Sequence, residues 1–156
     1  MEREMNQPDW IKVAEVELTY KTKVKPSERP KIISSEDLYK IFLQYWDLGK
    51  IEMIEQFKII LLNASHKVLG ICEISSGSVG GCIADPRQIF SAAIKGNAVK
   101  IALCHNHPSG SLKPSKADES LTDKLRIGGR FLEIAVMDHI IISTEGYFSF
   151  ADEGML

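Results

Sequence analysis

Residues 100–125 read KIALCHNHPSGSLKPSKADESLTDKL, and the remainder of the chain is best read outward from them. The apolar run Ile101-Ala102-Leu103-Cys104 has the length and composition of a buried strand. His105 and His107 leave it with one residue between them. Side chains at i and i+2 of a strand point to the same side, so both imidazoles can face one way at the strand's C-terminal end. Pro108-Ser109-Gly110-Ser111 reads as a loop, and Pro114-Ser115 introduces a helical pattern that carries Asp118 in its first turn. The spacing therefore predicts a strand–loop–helix corner on which two imidazoles and one carboxylate converge. Three such ligands with a fourth position open to water make a zinc site of the catalytic kind.

Each part of this pattern has a plainer explanation. Ser115-x-x-Asp118 is also a capping-box variant, with Ser115 as N-cap and Asp118 as the third helical residue. A histidine at a strand end is commonly just a partly buried polar side chain. The combination carries the argument: His-x-His leaving a buried strand, then Pro, Ser and Gly, then Ser and Asp opening a helix. Capping and ligation are compatible, because a cap can hold the carboxylate in place.

His105-x-His107, seven further residues, Ser115, two residues and Asp118 resemble the metal motif of the JAMM (JAB/MPN) metalloprotease superfamily. The fuller string His105-Asn106-His107-Pro108-Ser109-Gly110 with Pro114-Ser115-x-x-Asp118 is similar to the RadC family within it, as are Asp85-Pro86-Arg87-Gln88-Ile89-Phe90 and Asp138-His139-Ile140-Ile141. The likeness spans about residues 51–150. It implies a JAB/MPN, cytidine-deaminase-like architecture, a bound Zn2+ and hydrolysis of a peptide or isopeptide bond. It also implies that Ser115 donates a hydrogen bond to the developing oxyanion, and that an upstream glutamate serves as the base. Glu55, in a Glu-x-Phe pattern before an apolar run, matches the family and is preferred; Glu73, in the following strand, is the alternative. Asn106 stands where the deubiquitinating branch usually has a small hydroxyl residue, which points to the RadC-like branch. RadC proteins also carry an N-terminal helix-hairpin-helix region, whereas the roughly fifty residues before this domain read otherwise.

Composition narrows the class. A chain of 156 residues is long enough for one domain with a sizeable core. Hydrophobic content of 44% and charged content of 26% are ordinary for a globular protein. A formal net charge of -2 argues against strong non-specific attraction to nucleic acid. Cys72, Cys82 and Cys104 lack paired metal-like spacing, and Cys72 and Cys104 sit in apolar runs as small buried hydrophobes. An odd thiol count without an N-terminal apolar leader suggests the cytoplasm, and no stretch reaches the length of a membrane span.

In chain order, residues 12–20 (KVAEVELTY) alternate as an amphipathic strand, and residues 21–30, with two prolines, read as an extended linker or edge. Ser34-Ser35-Glu36-Asp37 starts a helix with Leu38, Ile41, Phe42 and Tyr45 inward and Gly49 beyond its end. Residues 57–62 and 67–75 form a hairpin around Asn63-Ala64-Ser65-His66, followed by a loop over 77–81. Asp85-Pro86 opens a second helix with Ile89, Phe90, Ala93 and Ile94 inward, closed by Gly96-Asn97; Arg87 beside it reads as structural. The helix carrying Asp118 turns Ala117, Leu121 and Leu125 inward and stops at Gly128-Gly129. Residues 131–143 form a last long strand region interrupted near Asp138, and Glu145-Gly146 turns into residues 147–150. His139 reads as a core histidine with a hydrogen bond, the other reading being a partner that orients a ligand.

Strands interspersed with helices predict an α/β fold, a mixed sheet flanked by helices in three layers. Residues 1–50 are expected to pack, as strand, linker and helix, on a domain of residues 51–156, making one globular unit. The expected activity is zinc-dependent amide-bond hydrolysis on a peptide or protein substrate. The alternatives are a DNA-repair or DNA-processing accessory and a noncatalytic metal-binding interaction module. Retention of His105, His107, Asp118, Ser115 and an upstream glutamate disfavours the last. A zinc deaminase is disfavoured by the lack of an H-x-E with a downstream P-C-x-x-C.

Overall fold

The computed structural model describes residues 13–19, 21–77 and 84–156. Its elements are α1 (Ser35–Gln44), β1 (Gln56–Leu62), β2 (Val68–Ser76), α2 (Pro86–Lys95), β3 (Lys100–Asn106), α3 (Lys116–Phe131), β4 (Ala135–Ile142) and β5 (Tyr147–Ser149). The strands form one five-stranded mixed sheet in the order β2-β1-β3-β4-β5. β1 runs antiparallel to β2 and β3, β3 is parallel to β4, and β4 is antiparallel to β5.

Alternation along the central strands assigns the two faces. Phe57, Ile59, Leu61, Ile101 and Leu103 pack with Ile89, Phe90 and Ala93 of α2 and Leu125 of α3. Ile60, Leu62, Ala102, Cys104, Ile140 and Ile142 pack with Leu38 and Phe42 of α1 and with Trp46 and Ile51. The sheet thus lies between α1 on one side and α2 with α3 on the other. β1 is buried along its whole length, as a strand covered on both faces must be, and this is why it reads as a nearly continuous apolar run.

All three helix starts are capped by side chains identified from the sequence: Ser34 for α1, Asp85 for α2 through the Arg87 backbone N–H, and Ser115 for α3. Other expectations are corrected. Residues 13–19 form no strand; Val13, Val16 and Leu18 are exposed, so the alternating pattern finds no ladder to join among the described residues. Within residues 21–30 a short 3-10 turn occupies Pro26–Glu28. Tyr45, Ile94 and Ala117 face solvent, while Trp46 and Thr122 take buried places nearby. The loop expected over 77–81, like Cys82, falls largely outside the described residues.

α3 does not stop at Gly128-Gly129 but continues to Phe131, so residues 131–134 are helix end and turn, not strand. The left-handed residue after the helix is Glu133, at φ 55°. The glycines serve packing instead: a Cβ on Gly129 would lie 2.2 Å from the Ile134 carbonyl oxygen, and one on Gly128 3.2 Å from the Phe90 ring. The interruption near Asp138 is a register shift in the β3–β4 pairing, where Val136 faces Ile101 and Asp138 faces Ala102; β4 itself runs through.

Candidate metal centre

The centre forms where β3 ends and α3 begins. His105 lies on the same side of β3 as Ile101 and Leu103, and its ring is buried parallel to that of Phe57 at a centroid distance of 6.1 Å. His107 follows just beyond the strand, and Asp118 is the third residue of α3. His105 Nε2 is 3.0 Å from His107 Nε2 and 3.2 Å from Asp118 Oδ1, and His107 Nε2 is 3.4 Å from Asp118 Oδ2. One donor atom from each of the three lies within 4.8 Å of the others.

The capping box aims the carboxylate. Asp118 Oδ2 accepts the Ser115 backbone N–H at 2.7 Å, and Ser115 Oγ accepts the Asp118 backbone N–H at 3.1 Å. Cap and convergence are one device, because the hydrogen bond that closes the helix start also stops the carboxylate from rotating away. Burial would raise the Asp118 carboxyl, but the His105 and His107 rings and the Ser115 backbone N–H beside it hold it well below the usual carboxylate range.

His107 Nδ1 sits 2.8 Å from the Ser111 carbonyl. A carbonyl only accepts, so Nδ1 carries a proton and Nε2 is the atom left to bind something else. That nitrogen faces a second imidazole nitrogen and a carboxylate, an acceptor-rich cluster that calls for a positive charge. In the metal-free protein a proton serves, and the hydrogen bond to Asp118 raises His107 above its ordinary pKa. A divalent cation would serve equally, since two imidazole nitrogens and a carboxylate oxygen are a known zinc donor set. The residues fit the ion and form a potential metal-binding triad.

Glu55 immediately precedes β1 and is half-buried, close enough for its charge to be felt by His105, His107 and Asp118. Burial pushes its carboxyl up, and the histidines oppose that rise. Glu73 is engaged elsewhere: its Oε2 accepts from Gln56 Nε2 at 3.2 Å and lies 3.6 Å from Lys58 Nζ. Lys58 in turn donates to the Tyr45 carbonyl at 2.8 Å and lies over the Trp46 ring.

His139 is fully buried, and its Nε2 is 2.8 Å from His105 Nδ1. The plainer reading of it as a core histidine is therefore incomplete, because its hydrogen bond goes to a member of the triad. Its Nδ1 is 2.6 Å from Thr122 Oγ1, and burial pushes its pKa well down. Asp138 next to it is buried among donors: Ser149 Oγ at 2.7 Å, the His139 N–H at 2.7 Å and the Ala151 N–H at 3.0 Å.

Sequence reading missed Thr122, and it used Asn106 only as a marker of the branch and not as a contact. The signal for Thr122 was a polar residue inside the inward stripe between Leu121 and Leu125, one turn after Asp118. For Asn106 it was an amide closing a buried strand, on the face opposite His105, where its side chain meets the segment that carries Glu55. Beside His107 a cavity of about 250 Å³ opens between Ile51, Glu52, Ser109, Gly110 and Ser143.

The three-layer mixed sheet and a His-x-His…Asp triad at the β3–α3 corner define the JAB class of domain. Residues 32–155 match the RadC-like JAB domain family, and the chain belongs to it. It is 39% identical over 125 residues to a UPF0758 protein of Flavobacterium johnsoniae, covering 80% of this chain and 53% of that one. A UPF0758 protein of Desulfitobacterium hafniense is 37% identical over 131 residues, covering 84% and 56%. One from Symbiobacterium thermophilum is 41% identical over 103 residues, covering 66% and 44%. The chain thus spans about half the length of these curated relatives. Among the described residues no helix is long and apolar enough to cross a membrane.

Proposed function

We propose that this domain is a zinc-dependent hydrolase of JAMM type that cleaves a peptide or isopeptide bond, with His105, His107 and Asp118 as ligands and Glu55 as the base. The observation that carries this reading is the convergence of two imidazole nitrogens and a carboxylate beside a half-buried glutamate. Zinc held by three protein ligands polarises a carbonyl and acidifies a water. Glu55 takes the proton of the attacking water and later passes it to the leaving amine nitrogen. Its half-buried place beside the triad suits both steps, because a base must lie within reach of the water whose proton it takes. Ser115, whose Oγ accepts from the Asp118 backbone, keeps its hydroxyl proton to donate to the oxyanion. Glu73 is disfavoured as base by its engagement with Lys58 and Gln56.

The substrate is a peptide or protein chain, and the polar cavity beside His107 offers it an approach. A role in DNA repair or processing is the second reading; the formal charge of -2 weighs against it. The described thiols, Cys72 and Cys104, are free, which suits a cytoplasmic protein. The core that Ile32 and α1 share with the sheet supports residues 32–50 acting as a single unit with residues 51–156.

The test is metal analysis of the purified protein, then a screen of peptide, isopeptide and nucleic-acid substrates with wild type and Glu55→Gln. One zinc per chain in both proteins is expected, with amide hydrolysis by wild type alone. A folded wild type that takes up no zinc, or a Glu55→Gln variant as active as wild type, refutes the assignment.

A further inference from the structure

Behind the triad runs a chain of three short hydrogen bonds with a single allowed direction. It begins at the main-chain carbonyl of Asp118, which can only accept. The Thr122 hydroxyl donates to it at 2.6 Å, and a hydroxyl has one proton to give. Thr122 Oγ1 must therefore act as acceptor toward His139 Nδ1, 2.6 Å away. The His139 ring is fully buried, stacked on Phe150 at 4.8 Å and edge-on to Phe57 at 5.6 Å. Its ring nitrogens meet only Thr122 and His105 among the described residues, with no carboxylate to hold a second proton. A ring so placed is neutral and carries one N–H, which the Thr122 bond places on Nδ1. Its Nε2 is then an acceptor, and the bond at 2.8 Å requires the N–H of His105 to be on Nδ1.

We propose that Thr122 and His139 are positioning residues that hold the His105 imidazole in its Nδ1–H tautomer, with the Nε2 lone pair turned toward His107 and Asp118. This rests on the metal-binding reading above and deepens it. The first turn of α3 then does two things at once: its side chain at Asp118 supplies the carboxylate, and its backbone carbonyl at the same residue sets the proton order that prepares an imidazole on β3. The chain runs α3, β4, β3, so the His105 ring is oriented through the core behind it and not from solvent. A neutral imidazole free to exchange tautomers would spend part of its time with Nε2 protonated and unable to bind. Partners that fix the tautomer of a metal-binding histidine are typically worth about ten- to a hundredfold in affinity.

The experiment has two arms on the full chain. In the first, nitrogen-15 NMR of the metal-free wild type reads which ring nitrogen of His105 carries the proton; Nδ1 is expected, and Nε2 overturns the proposal. In the second, zinc affinity is measured by competition with a chromophoric chelator for wild type, Thr122→Val and Thr122→Ser. Thr122→Val removes the acceptor for His139 with little change in shape and should weaken zinc binding about tenfold or more. Thr122→Ser restores the hydroxyl and should bind much as wild type. Equal affinity in Thr122→Val and wild type overturns the proposal. A wild type that binds no zinc defeats the metal reading instead, and the tautomer measurement still decides this one.

Discussion

The side-chain carbonyl of Asn106 accepts the backbone N–H of Gln56 at 2.8 Å, across from the last turn before β1. The same side chain donates to the Ile51 carbonyl at 2.6 Å and the Ile54 carbonyl at 2.9 Å. The residue between the two histidines therefore clamps the segment that carries Glu55. Asn106→Ala would leave a buried donor and two carbonyls without partners and should cost about 3 kcal/mol of stability. Zinc stoichiometry should persist at a temperature where the variant is folded, while the proposed hydrolysis falls as Glu55, its proposed base, is displaced. Urea unfolding and metal analysis together check this; a variant as stable as wild type would rule out the clamp.

Zinc affinity should rise with pH. A proton on His107 is stabilised first by its hydrogen bond to Asp118, which lifts its pKa above 6.5. Zinc must displace that proton, so binding strengthens up to and through the raised His107 value and then levels off. The metal-free protein behaves in the opposite sense at this residue. The stability contributed by protonated His107 is fully present below the unfolded pKa and is lost as pH rises through the folded one. Asp118, held below its usual range, contributes above about pH 4 and loses that contribution in acid. Chelator competition at about pH 6 and about pH 8 tests the first claim, since these values bracket the histidine range. Affinity that does not change between them would contradict it.

The cap made by Ser115 is separable from its proposed role at the oxyanion. As the N-cap of α3 it accepts the Asp118 N–H, and Ser115→Ala should cost about 1 kcal/mol. As a donor to the oxyanion it should be worth about 3 kcal/mol in the barrier. Ser115→Asp keeps a capping oxygen but has no hydroxyl. Turnover that stays low in Ser115→Asp despite restored stability supports the donor role; recovery of both leaves only the cap.

Gly129→Ala should destabilise the fold by about 2 kcal/mol, because overpacking against an immobile neighbour is not relieved by side-chain rotation. The added Cβ would lie 2.2 Å from the backbone oxygen of Ile134, which cannot swing away without moving the start of β4. Thermal unfolding measures it, and an unchanged midpoint would show that the α3–β4 turn yields.

Asp138→Ala should cost about 3 kcal/mol, since it strips partners from the Ser149 hydroxyl and the His139 and Ala151 N–H groups at a buried site. Burial raises the carboxyl of Asp138 while those donors oppose the rise, so the loss comes from broken hydrogen bonds and not from charge alone. A variant unfolding at the wild-type denaturant midpoint would dispose of this account.

The local periodicities were legible without coordinates. Apolar runs announced β1 and β3, and Ser34, Asp85 and Ser115 marked the three helix starts, because caps and strand patterns are set by residues within a few positions of one another. Residues 13–19 alternate as a strand should, yet have no strand structure, because alternation needs a neighbouring strand to act on. Gly128 and Gly129 looked like a helix end until Phe90 and the Ile134 carbonyl were placed against them.

By itself the sequence determined the motif: His105, His107 and Asp118, their spacing, and the cap that aims the carboxylate, all within fourteen positions. It left Glu55 and Glu73 as competing bases and gave His139 two readings. Only the tertiary structure set Glu73 against Lys58, brought Glu55 to the triad and ran Thr122–His139–His105 through the core. The reason is distance along the chain. A hydrogen bond between residues 34 or 50 positions apart depends on sheet order, and sheet order arises from the summed burial of both faces, which no local pattern records.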